Sequence, residues 1–193
     1  MATAAQYTDP YLATYTPVPA AGPGVCAVCH SGPNPGYAVC RSCTEVMRQV
    51  SHPTKNVIPI SMYKLNSQLW HVLRHYKDGS GPSTELLAMQ ASLYAPLLVR
   101  GPAHVDHNRA DDLAFTVARR LHGERMLVLD DTLTTGARLQ SAVSALRLNG
   151  ASTVAGVAVG RVIDPDWNDN CRRIWDQAHA TQFSFDQCCL CRG

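Results

Sequence analysis

Hydrophobic and polar positions along this chain group into short segments of distinct period. Residues 125–129 form a run dominated by Met126, Leu127, Val128 and Leu129, read as a buried strand. Two carboxylates, Asp130 and Asp131, stand at its C-terminal end. Over 138–148, Leu139, Ala142, Val143 and Leu146 recur at helical spacing, and Gly150 supplies the C-cap. Residues 153–159 are small or β-branched throughout, which suits a central parallel strand. Strand, helix and strand in that order predict a right-handed βαβ unit.

Other segments read less sharply. Residues 57–60 predict a short strand, and Pro59 places it at an edge. Residues 63–76 predict an amphipathic helix with Leu65, Leu69, Val72, Leu73 and Tyr76 on one face, ended by 77–82. A second helix is expected over 84–98, with Leu86, Leu87, Leu93, Leu97 and Leu98 on its core side. A third is expected to start at Asp111 and Asp112, carrying Phe115, Ala118 and Leu121 inward. One or two helical turns are expected over 44–50, a helix over 169–180, and extended chain over 183–185. There is no internal repeat. The first residues are rich in Ala, Thr, Pro and Tyr, so 1–24 read as a flexible, partly extended tail. Residues 25–50 form a cysteine module and 51–193 an α/β domain, a parallel sheet flanked by helices.

Composition narrows the classes. Apolar residues make up 46% of 193, enough for a real core, and the formal net charge of +2 gives no global argument for nucleic acid or a membrane surface. No apolar run approaches spanning length, and the start lacks a basic segment followed by an apolar core. The expectation is a cytoplasmic protein with no membrane partner.

The segment Asp130-Asp131-Thr132-Leu133-Thr134-Thr135-Gly136-Ala137 carries the chemistry. It lies where a strand hands over to a helix, the edge at which open α/β sheets bind ligands. Backbone amides at the helix start favour a phosphate. The hydroxyls of Thr132, Thr134 and Thr135 add donors, and Gly136 permits close approach and positive φ. Asp130 and Asp131 suit a pair of ribose hydroxyls, or could hold Mg2+ through water. The expectation is a sugar-phosphate site.

Cys26, Cys29, Cys40 and Cys43 form two Cys-x-x-Cys knuckles separated by turn residues. Four thiolates at that spacing point to one structural Zn2+, in a zinc-ribbon-like module too short to bury a core of its own. Cys188 and Cys191 make a third such pair, and Cys171 and His179 would complete a second metal site; free thiols are the equal alternative.

The run from Asp130 to Ala137 closely resembles the phosphoribosyl diphosphate (PRPP) motif of type I phosphoribosyltransferases. The resemblance implies that Asp130 and Asp131 contact the ribose hydroxyls and are the catalytic pair. It implies that Thr132, Leu133, Thr134, Thr135, Gly136 and Ala137 bind the 5′-phosphate end. Thr132 departs from the usual aliphatic residue and Arg138 from a small hydroxyl residue; Arg138 can add a charge-assisted contact. A four-cysteine module ahead of that motif resembles the ComF-like competence proteins and their amidophosphoribosyltransferase-like relatives. Leu73-Arg74-His75-Tyr76-Lys77-Asp78-Gly79, Gly160-Arg161 with Pro165-Asp166-Trp167, and the terminal cysteines look similar to one branch of that group. The fold implied is a type I phosphoribosyltransferase-like α/β sheet. Its pyrophosphate loop has no clear counterpart; the candidates are Leu97-Leu98-Val99-Arg100-Gly101 and His107-Asn108-Arg109.

Three functions are therefore open. One is a phosphoribosyltransferase, using Mg2+ with PRPP and a nitrogen acceptor, with Trp167 stacking on a base or serving as a core or rim residue. The second is a DNA-handling factor whose cysteine module, with Arg41, Arg48 and Lys55, meets single-stranded DNA. The third is a non-catalytic PRPP or nucleotide sensor. A homodimer is left open.

Overall fold

Three parallel strands carry the fold, and β-branched and small residues explain why. The computed structural model describes residues 9–75, 98–100, 108–187 and 189–190. In chain order the strands are β1 (Val57–Tyr63), β2 (Leu98–Arg100), β3 (Phe115–Val117), β4 (Arg125–Leu133) and β5 (Thr153–Val162). The helices are α1 (Arg41–Arg48), α2 (Gln68–His75), α3 (Ala137–Leu148) and α4 (Asp169–His179), preceded by a 3-10 helix at Asp9–Thr14. The sheet order is β1-β5-β4, all parallel, and β2 and β3 form a separate antiparallel ribbon. The chain is thus an α/β protein with a small parallel sheet.

β5 is central because both its edges are usable and its faces are smooth. Gly156 and Gly160 make room for neighbours: a Cβ at Gly156 would meet Leu139 Cδ2 at 2.5 Å, and one at Gly160 would meet Tyr63 Cε1 at 2.5 Å. Pro59 lies in the edge strand β1 opposite Ala158, as its missing amide predicts. α3 packs on the sheet through Leu139, Val143 and Leu146, each at most 1% exposed. Gly150 follows its C-cap with φ +104. Gln140 of α3 makes a reciprocal pair with the backbone of Thr54, at 2.8 and 2.7 Å, fixing the approach to β1.

Several expectations change. β4 continues through the acids to Leu133, with Asp130 opposite Ala158 and Leu133 opposite Arg161. The helix expected over 63–76 starts only at Gln68; Leu69 and Leu73 are buried, whereas Leu65 and Val72 are exposed. Left-handed Asn66 separates it from β1. The helix expected from Asp111 is replaced by a turn and β3. Asp111 Oδ1 accepts from the Leu113 amide at 2.9 Å, a local bond that competes with a helix, and Phe115, Thr116 and Val117 are good strand formers. The helix expected over 84–98 lies outside the described residues apart from Leu98, which begins β2.

The described part of the N-terminal stretch is packed. Thr16 pairs with Met62 beyond the sheet, Val18 is buried with Ile174 and Trp175, and Tyr15 packs tilted against Phe183 with ring centroids 5.0 Å apart. No strand forms over 183–185. Among the described residues, no helix is long and apolar enough to cross a membrane.

Candidate functional site

The strand-to-helix junction builds a cavity of about 210 Å³ lined by residues 130–132 and 134–139. The sequence folds this way because β4 keeps pairing with β5 as far as Leu133, and the chain then reverses through Gly136. Gly136 has φ +86 and ψ 3 at the N-cap of α3, a left-handed conformation that glycine adopts without steric cost. A Cβ there would meet only Leu133 Cδ1 at 3.5 Å, an ordinary contact, so conformation rather than space selects glycine. Thr135 Oγ1 accepts from the Ala137 amide at 3.3 Å, and the Gln140 amide donates to the Gly136 carbonyl at 2.9 Å. The Arg138 and Leu139 amides stand in the first turn of α3, where a helix offers no internal acceptor. An anion at this end is stabilised by those donors and by the helix dipole.

The acids face that end from the sheet. The Asp131 amide donates to Asp130 Oδ1 at 3.0 Å. Burial, and then the neighbouring Asp131, push the Asp130 carboxyl up to about 6, while the Arg138 cation works the other way. Arg138 lines the cavity, and its Nε is buried without a hydrogen-bond partner. Tyr63, at the end of β1, hydrogen-bonds Thr132; burial pushes its phenol up and that bond opposes the shift. The junction therefore joins two carboxylates, three threonine hydroxyls, a helix N-terminus and one guanidinium. Leu133 is placed differently from the other loop residues: it is 2% exposed and packs in the core with Leu139 and Cys29.

The four cysteines of the module converge. The sulfurs of Cys26, Cys29, Cys40 and Cys43 lie within 4.8 Å of one another. Cys26, Cys29 and Cys43 are buried and Cys40 is half-buried. Each knuckle has its own reason. His30 takes a left-handed turn at φ +60, and its Nδ1 hydrogen-bonds the Pro19 carbonyl at 2.8 Å. Cys40 is the N-cap of α1, which points a helix N-terminus at the sulfurs, and its amide donates to Cys26 Sγ at 3.3 Å. As free thiols they share protons: hydrogen bonds from Cys26, Cys40 and Cys43 hold Cys29 well below the ordinary thiol range, and Cys40 and Cys43 are pushed up. Four soft donors so close fit one tetrahedral metal such as Zn2+. This is the metal-ligand group found among the described residues.

The two centres are not separate. Cys29 and Cys43 pack in one cluster with Val57, Leu133, Leu139 and Ala158, so the module is a wall of the sheet domain. Arg161 of β5, which the sequence singles out only through a resemblance, lies between the centres. Its Nη2 donates to Cys29 Sγ at 3.4 Å, and its Nη1 donates to the carbonyls of Leu133 and Thr134 at 2.9 and 2.7 Å. The available signal was a charged residue in a strand otherwise built of small and β-branched ones.

Other candidates are dispersed or lie outside the described residues. Cys171 is buried, with Sγ against the Gly32 carbonyl at 3.4 Å, and His179 stacks on Trp175 at 5.2 Å; Cys188 and Cys191 are outside the described residues. Leu98, Val99 and Arg100 form β2, while Leu97, Gly101 and His107 are outside them; Asn108 and Arg109 are exposed. Trp167 is 73% exposed and lines a second cavity of about 530 Å³. Thr134 and Thr135 line that cavity too, so the two spaces adjoin. Comparison with protein-family models, curated proteins and solved structures finds no match to this chain.

Proposed function

We propose that this chain binds PRPP at the β4–α3 junction and transfers its phosphoribosyl group to a nitrogen acceptor, as a type I phosphoribosyltransferase of the ComF-like kind. The observation that carries the reading is the composition of the 130–139 cavity. Paired acids, threonine hydroxyls and a helix N-terminus entered through left-handed Gly136 suit the two ends of a ribose 5-phosphate.

In this reading the 5′-phosphate sits against the α3 amides, Thr134, Thr135 and Arg138, while Asp130 and Asp131 accept from the ribose hydroxyls. The C1–O bond breaks, and its electron pair leaves with diphosphate. A nitrogen lone pair forms the C1–N bond, and that nitrogen then loses its proton. The two carboxylates stabilise the positive charge that develops on the ribose ring. Mg2+, carried with PRPP, supplies charge neutralisation for the departing diphosphate.

The single-stranded DNA reading has less support. Arg41 is paired with Glu45 at 2.6 Å, which removes part of the module's positive charge. A diphosphate-release assay with PRPP, Mg2+ and a panel of nucleobases and simple amines tests transfer. Release should depend on both PRPP and an acceptor, and fall roughly 100-fold or more in the Asp130→Asn/Asp131→Asn double variant. Saturable PRPP binding with no release from any acceptor would overturn transfer and leave a sensor.

A further inference from the structure

Arg161 is 6% exposed in the central strand. A guanidinium buried to that degree is strongly destabilising unless acceptors and a counter-charge meet it. The acceptors are carbonyls: Leu133 at 2.9 Å, Thr134 at 2.7 Å and Val162 at 2.7 Å, all reached by Nη1. The counter-charge comes from elsewhere in the chain. Nη2 reaches Cys29 Sγ at 3.4 Å, across 132 residues of sequence. Four thiolates around a divalent ion sum to a net charge of about −2, and outer-sphere donors to such sulfurs are a regular part of metal sites. A narrow seam lined by Cys29, Cys43, Thr135, Gly136 and Leu139 brings the cysteine knuckles directly against the loop.

We propose that Arg161 is a positioning residue that couples the cysteine centre to the ligand loop. It draws its counter-charge from the metal-bound thiolates and, so held, fixes the carbonyls at which β4 ends and the turn through Thr135 and Gly136 begins. The ligand half of this inference rests on the proposed PRPP reading; the loop half does not. Metal occupancy then sets how well the loop is formed. By linkage, a ligand held in the loop strengthens metal retention to the same degree. Lysine at this position would keep the charge but lose the fork that serves the sulfur and the carbonyls together.

The test uses the full chain as wild type, Arg161→Met and Arg161→Lys, with hydrogen exchange of the amides of residues 134–137 and zinc transfer to a chromogenic chelator. In the wild type, chelation should raise exchange of these amides about 10-fold or more, and saturating PRPP should slow zinc transfer at least about 5-fold. Zinc-loaded Arg161→Met should already show fast exchange, release zinc roughly 10–100-fold faster, and lose the effect of PRPP on release. Arg161→Lys should fall between. Wild-type protection of 134–137 in zinc-loaded Arg161→Met would overturn the proposal. So would equal slowing of release by PRPP in wild type and Arg161→Met. If Arg161→Met does not fold, unchanged exchange of 134–137 on chelation of the wild type would overturn it alone. Failure of PRPP to bind would count against the ligand reading only, because the exchange measurement needs no ligand.

Discussion

Gly136 shows how much one backbone angle decides at this site. At φ +86 any side chain adds strain of about 1–2 kcal/mol, although the neighbouring space is open. Relief of that strain would turn the Thr135 and α3 amides away from the cavity. Gly136→Ala is therefore expected to weaken ribose 5-phosphate binding about 10-fold while lowering the melting temperature by only a few degrees, read by calorimetry and thermal unfolding. The acids, threonines and Gly136 were legible in the sequence because their chemistry is local and contiguous. Arg161 and Tyr63 were not, because their roles depend on strand pairing: Arg161 lies opposite Leu133 and Tyr63 opposite Val162. The four cysteines were legible for the same reason as the loop, since their spacing alone implies convergence.

Among the elements, α3 is legible from its apolar stripe at helical spacing and β5 from an unbroken run of small and β-branched residues. β4 runs past its apolar residues into polar ones that look like loop, because its backbone continues to pair with β5 through Leu133. It is not the buried strand the sequence predicts, since Leu127 and Leu129 are 56% and 74% exposed. The segment after Asn108 does not form the expected helix because acids that resemble a helix start are committed elsewhere. Asp112 accepts from the Ser51 hydroxyl at 2.6 Å and amide at 3.1 Å and from Ser144 Oγ at 2.5 Å, tying the approach to β3 onto α3 and the end of the cysteine module. Burial pushes this carboxyl up, but the bonds from Ser144 and Ser51 outweigh it and hold it below its ordinary 3.8. A depressed carboxyl adds stability that is fully present above the unfolded value and is lost as pH falls through the folded one. Asp112→Ala should thus cost about 1–2 kcal/mol at pH 7, discounted for partial exposure, with the difference from wild type shrinking below pH 4 in urea unfolding. A difference constant from pH 7 to pH 2 would exclude this role.

For the whole molecule, the cysteine module, the parallel sheet, the stretch around Val18, and Cys189 share their packing. Val28 and Cys29 lie in the same cluster as Leu133 and Ala158, and Val18 lies with Ile163 and Cys189. The boundary drawn near residue 50 in the sequence marks a change of composition, and the core crosses it. This was not visible in the sequence because the buried faces of the module belong to cysteines, whose polarity hides how well they pack as small apolar groups. The four-cysteine cluster packs against the strand-to-helix turn, and a metal held there would give the loop a rigid base. We propose above that the β4–α3 junction holds a ribose 5-phosphate group. It is tested most directly by calorimetric titration of the zinc-loaded chain with PRPP and Mg2+. Saturable binding of about one PRPP per chain is expected, with Kd roughly 1–100 µM, abolished in a folded, zinc-loaded Asp130→Asn/Asp131→Asn variant. Absence of saturable binding by the folded wild type at millimolar PRPP, or equal affinity in the double variant, would contradict it.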